Sequence, residues 1–101
     1  FGPTGPILVS TDSFPDPADV EIRTWVNGEL RQQDRTSSLI FSIPKLIAFI
    51  SRFVTLTTGD LIFTGTPEGV GFRNGVFLTD GDVVRTSIEG IGTLENRCIK
   101  I

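Results

Sequence analysis

The sequence predicts an α+β fold dominated by strands. Three observations carry that expectation: short runs of period-two hydrophobic alternation, punctuation by 11 Gly and 6 Pro in 101 residues, and a single stretch of helical periodicity. The chain is long enough for one domain with a modest core. Its hydrophobic fraction of 39% and charged fraction of 21% are those of a globular protein.

In chain order, Phe1-Gly2-Pro3-Thr4-Gly5-Pro6 is a loop dense in turn residues that leads into the apolar run Ile7-Leu8-Val9. Phe14-Pro15-Asp16-Pro17 is a second rigid connection. Val20, Ile22, Thr24 and Val26 then alternate with Glu21, Arg23 and Trp25, the pattern of a half-buried strand. Asn27-Gly28 follows, a strong short signal for a two-residue hairpin turn, and Glu29 to Gln33 forms the return strand. That strand is polar, which places it at a sheet edge or under another element. Trp25 and the eight Phe read as core or interface, since no basic residues interleave with them to make a stacking platform.

Ile43, Leu46, Ile47, Ile50, Phe53 and Val54 form one apolar stripe at helical spacing, predicting a helix over about 43–54. Ser42 is placed to cap its amino end, and Pro44 is tolerated in the first turn. Beyond it the chain repeats itself: Leu56-Thr57-Thr58-Gly59-Asp60-Leu61-Ile62 echoes Leu78-Thr79-Asp80-Gly81-Asp82-Val83-Val84. Each copy reads as a turn feeding an apolar strand, with both Asp residues as turn formers rather than catalytic acids. Val83 to Glu89, a Gly90-Ile91-Gly92 turn and Thr93 to Ile101 predict a closing hairpin, for six or seven strands in all.

The densest chemistry lies in Thr64-Gly65-Thr66-Pro67-Glu68-Gly69-Val70-Gly71. Glycine permits positive φ and a close approach of backbone to ligand, and proline stiffens the loop. Exposed backbone N–H groups beside a Thr hydroxyl can cradle a carboxylate or enolate oxygen, while a plain Gly-rich turn is the alternative. A phosphate loop is excluded, because no Lys-Ser/Thr pair follows the last Gly and Phe72-Arg73-Asn74-Gly75 reads as another turn instead of a helix. Glu68 reads as a solvent-facing turn residue.

Several functions are excluded more broadly. A net charge of −3 argues against nucleic acid and anionic membrane as partners. No apolar run approaches the roughly 18 residues of a membrane-spanning helix. The chain has no His, the commonest general base and metal ligand, and its 12 acids are scattered, so no catalytic or metal-ligating residue is assigned. Cys98 is the single cysteine and sits in an alternating run, as a small core residue does; no internal disulfide is possible, which suits a cytoplasmic location. There is no Met, and the chain reads as a piece of a longer protein.

Several separated motifs, in order, resemble the carboxyl-terminal half of the fumarylacetoacetate hydrolase family. They are Phe1 to Pro6, Arg23-Thr24-Trp25-Val26-Asn27-Gly28-Glu29, Ile40-Phe41-Ser42-Ile43-Pro44, Gly59-Asp60, Thr64 to Gly71, Gly81-Asp82-Val83-Val84 and Ile88 to Leu94. The resemblance implies that residues 1–101 are the carboxyl-terminal, incomplete part of one catalytic domain, a mixed β-sheet roll of the fumarylacetoacetase type, usually a homodimer. It implies a hydrolase or lyase that cleaves a C–C bond in acylpyruvate- or fumarylpyruvate-like acids. An isomerase or decarboxylase of 2-hydroxy-dienedioates or oxaloacetate-like acids is the alternative, and a non-catalytic binding or assembly module a second one. A divalent metal, Mg or else Mn or Ca, is implied with its carboxylate ligands upstream of this chain, as are a His-Glu pair and an active-site Lys. Within the chain, the family's substrate-contacting Gly-Thr-Pro segment matches Gly65 and Thr66, and the isolated piece is expected to be inactive.

Overall fold

A computed structural model describes residues 2–14 and 16–101; Phe1 of the opening loop and Pro15 of the second connection lie outside the described residues. Four strands form one antiparallel sheet: β1 (Glu21–Val26), β2 (Glu29–Arg35), β3 (Val83–Ile88) and β4 (Gly92–Arg97), in spatial order β2-β1-β3-β4. One helix, α1 (Ile43–Ile50), lies in the long connection from β2 to β3. The predominantly β class is therefore what the chain adopts.

Asn27 (φ 52°) and Gly28 (φ 83°) both take left-handed backbone, which is the type I′ geometry whose twist matches the two strands it joins. The turn is also tied to β3: Asn27 donates its backbone N–H to the Val83 carbonyl (2.9 Å) and accepts from the Val83 N–H at its side-chain oxygen (2.9 Å). Its side-chain nitrogen donates to Asp82 at 2.8 Å.

Register divides the sheet into two faces. Ile22, Thr24 and Val26 stand opposite Ile88, Thr86 and Val84 on one side, and opposite Asp34, Gln32 and Glu29 on the other. A bulge between Thr24 and Trp25 makes Arg31 the extra residue, because Thr24 pairs with Gln32 and Trp25 with Leu30. The opposite face is charged, and there Arg85 lies over the Trp25 ring, 5.5 Å from its centroid. Trp25 is thus half-buried under a cation and not in a core, a pairing the sequence hid because Arg85 is its cross-strand neighbour.

Three expectations are corrected. The sheet has four strands instead of six or seven: Ile7-Leu8-Val9 and Leu61-Ile62-Phe63 belong to no ladder among the described residues. The helix stops at Ile50, and residues 51–54 continue as isolated turns, with Phe53 and Val54 exposed. Ser42 occupies the cap position but makes no side-chain capping bond. Of the Phe residues, read as core or interface, Phe41, Phe49, Phe53, Phe63, Phe72 and Phe77 are exposed in the isolated chain, and Val20 is the one buried hydrophobic residue among those described.

The internal repeat is a structural one. In both copies the Asp carboxylate accepts from the backbone N–H of the Thr three residues earlier at 2.7 Å and from its hydroxyl, at 3.3 Å for Thr57 and 3.1 Å for Thr79. Gly59 (φ 101°) and Gly81 (φ 88°) supply the same backbone geometry. The second copy feeds β3, whereas the first feeds the unpaired Leu61–Phe63 run.

Candidate functional site

The Thr64–Gly71 loop crosses the Ile22/Thr24/Val26 face of the sheet at its β2 edge. Gly69 fixes the crossing. At φ 104°, a Cβ added there would collide with the Arg31 carbonyl oxygen and lie 3.2 Å from Gln32 Cγ. Gly71 is similarly tight, since its added Cβ would strike the Val76 carbonyl, and its own carbonyl accepts from the Val76 N–H at 2.9 Å. A short 3₁₀ turn, Gly71–Asn74, follows in place of a helix.

Ahead of these contacts the loop bends into solvent. Gly65 has φ 129° and Thr66 is exposed. Among the described residues, nothing accepts a hydrogen bond from the backbone N–H of Gly65 or Thr66. Gln32 donates through Nε2 to the Thr66 hydroxyl oxygen at 2.9 Å and to the Pro67 carbonyl at 2.8 Å. Thr64 to Pro67 then line a cavity of about 250 Å³, which is also lined by Asp34 and Ser38 as polar groups and by Leu39 and Leu46 as apolar ones. Asp34 is held below the usual carboxylate range, first by the Ser38 hydroxyl and then by the Arg35 backbone N–H.

The sequence-predicted pair Gly65 and Thr66 therefore lies together on a cavity wall. Glu68 points away: its side chain is 83% exposed and pairs with Arg73 at 3.2 Å. Gln32 was missed. Its only sequence signal was the polar return strand under another element, and that element is this loop.

Electrostatics beyond the cavity serve the sheet. Asp19 is depressed mainly by its hydrogen bond from Arg35, then by Ser37; Glu21 by Gln33 and Arg23; and Asp82 by Asn27 and Thr79. Arg35 also reaches Glu89 at 3.1 Å, joining the end of β2 to the β3–β4 turn. Cys98 is half-buried; its N–H donates to the Asp82 carbonyl at 2.7 Å. Among the described residues, no group of three or more His, Cys, Asp or Glu side chains is placed to hold a metal ion. Among the described residues, no helix is long and apolar enough to cross a membrane.

Comparison with known proteins agrees with this fold. The family model described as fumarylacetoacetate (FAA) hydrolase C-terminal matches residues 1–99. The chain belongs to the fumarylacetoacetate hydrolase family. It is 48% identical over 92 residues to a bifunctional isomerase/decarboxylase of 4-hydroxyphenylacetate degradation from Escherichia coli, covering 91% of this chain and 20% of that protein. It is also 48% identical over 97 residues to an oxaloacetate tautomerase of Bacillus subtilis, covering 94% of this chain and 32% of that protein. A maleylpyruvate hydrolase from Sphingobium sp. SYK-6, crystallised with manganese(II) and pyruvate, superposes with a TM-score of 0.86 at 40% identity, covering 94% of this chain and 34% of that one. The family thus includes hydrolases, tautomerases and isomerase/decarboxylases, and this chain spans a fifth to a third of the length of these relatives.

Proposed function

We propose that residues 1–101 are the carboxyl-terminal part of a single catalytic domain, and that Gly65 and Thr66 form its substrate-oxygen wall. The domain acts on 2-oxo or diketo acids through an enolate-like state. The observation that carries this reading is the Thr66 hydroxyl, exposed on a cavity wall with its oxygen already accepting from Gln32. A hydroxyl so engaged keeps its proton for another acceptor. Aimed at a 2-oxo oxygen, it stabilises the negative charge that builds there as the adjacent bond breaks. Gly65, lacking Cβ, lets backbone approach the same oxygen.

The finer reading is hydrolysis of a C–C bond in an acylpyruvate- or fumarylpyruvate-like acid, supported by the likeness to a maleylpyruvate hydrolase. The tautomerase and isomerase/decarboxylase relatives favour a second one, in which the same enolate is protonated or formed by loss of CO₂ without attack by water. Both need a donor at the 2-oxo oxygen. Among the described residues no carboxylates are grouped to hold a metal ion, so a divalent cation enters the reading only with ligands from outside residues 1–101, and no step here is routed through it.

The test uses the full-length protein with an acylpyruvate and, separately, enol-oxaloacetate, each followed by loss of enol absorbance. Thr66→Val keeps the side-chain shape and removes the donor. The expected loss is about 2–4 kcal/mol of transition-state stabilisation, roughly 30- to 1,000-fold in kcat. Unchanged turnover on every substrate that the parent protein converts would place Thr66 outside the site.

A further inference from the structure

The geometry points to Gln32 as a positioning residue that sets which way the Thr66 hydroxyl donates. The inference rests on the reading of Thr66 as the donor to a substrate oxygen. Gln32 Nε2 lies 2.8 Å from the Pro67 carbonyl oxygen and 2.9 Å from Thr66 Oγ1. A carbonyl can only accept, so the Pro67 contact fixes the nitrogen end of the amide toward the loop. That nitrogen has two hydrogens: one goes to Pro67, and the other goes to Thr66, whose oxygen must then accept. Gln32 does not take the hydroxyl proton, and among the described residues no other hydrogen bond takes it.

The amide is itself held in place. Gln32 is half-buried, opposite Thr24 and next to the bulged Arg31. Gly69 rests over the Arg31 carbonyl and Gln32 Cγ, so the loop is pinned just after the Thr66–Pro67 contact. Glutamine is chemically specific here. A carboxylate of the same shape has no hydrogen to give. It would accept the Thr66 proton, reversing the bond, and would face the Pro67 carbonyl with like charge.

The decisive comparison is among Gln32→Glu, Thr66→Val and the double variant of the full-length protein, with kcat, KM and thermal midpoint measured for each. Gln32→Glu is expected to lower kcat at least about tenfold while KM changes less than about threefold, the pattern of an interaction made mainly in the transition state. In the Thr66→Val background the same change is expected to cost less than about twofold, because its effect runs through the hydroxyl. Lowering pH should restore part of the Gln32→Glu loss relative to the parent protein, since a protonated carboxyl regains a donor. Gln32→Leu, which removes the amide without adding charge, serves if the Glu variant does not fold, with the same non-additivity expected.

A Thr66→Val loss accompanied by a parent-like Gln32→Glu, or by Gln32 effects that add in full to it, overturns the positioning role and leaves the Thr66 reading intact. An unchanged Thr66→Val overturns both.

Discussion

The sheet and the connection that interrupts it are built on opposite terms. β1 to β4 satisfy one another through ladders, a type I′ turn and the Asn27–Asp82–Val83 bonds. Among the described residues, the connection holds 13 of the 18 exposed large apolar side chains, all between Ile40 and Leu78, whereas the strands hold only Leu30. Exposed apolar surface on that scale marks contact with other protein. The sheet is a local structure that can largely account for itself; the connection, with the candidate site on it, is shaped to be covered.

The largest effect expected from this contrast is seen by removing everything else. Expressed alone, the 101 residues should retain strand signal in far-UV circular dichroism but bind a hydrophobic dye and lack a cooperative thermal transition. They should show no turnover and no tight stoichiometric Mg site by calorimetry. A sharp two-state transition with no dye binding would break the comparison, as would a tight Mg site the inactive-fragment expectation.

Gly69→Ala tests the joint between the two regions. The positive φ alone costs about 1–3 kcal/mol, and the clash with the Arg31 carbonyl adds to it. Denaturant unfolding of the full-length protein should show that loss. Gly28→Ala, also at positive φ (83°) but with open space around its Cβ position, should lose only the conformational part, which sharpens the contrast.

The smallest effect is in acid, and it falls on the sheet. Hydrogen bonds, first from Arg35, Ser38, Asn27 and Gln33, hold the carboxyls of Asp19, Asp34, Asp82 and Glu21, respectively, below their ordinary pKa values. Their stabilisation is complete above those ordinary values and is lost as pH falls through the lower folded ones. Stability measured from about pH 5 downward should therefore decline, and Asp82→Asn should flatten part of that decline. An unaltered acid limb in the variant would remove Asp82 from the account.

How far the sequence disclosed this follows the same division. Asn27-Gly28 and the β1 alternation revealed the hairpin because turn and register are local. The helix stripe was visible, but its length was overread, since Phe53 and Val54 continue the pattern without continuing the helix. Leu61–Phe63 and Ile7–Val9 look like strands in composition, yet a strand needs a partner and apolar letters do not name one. Gly65 and Thr66 stood out by their loop. Gln32 could not, because its bonds reach 34 and 35 residues along the chain and nothing in its immediate neighbours signals them.

The bulge in β2 has a consequence for insertions and deletions. Losing Arg31 would leave Trp25 facing Leu30 and Thr24 facing Gln32, so the ladder could close over the gap with every other neighbour unchanged. The carbonyl beneath Gly69 would go with it. Position 31 is thus a spacer whose presence the sheet does not require and the loop does. A family member one residue shorter there would be predicted to carry its Gly-Thr-Pro segment at a different height above the sheet.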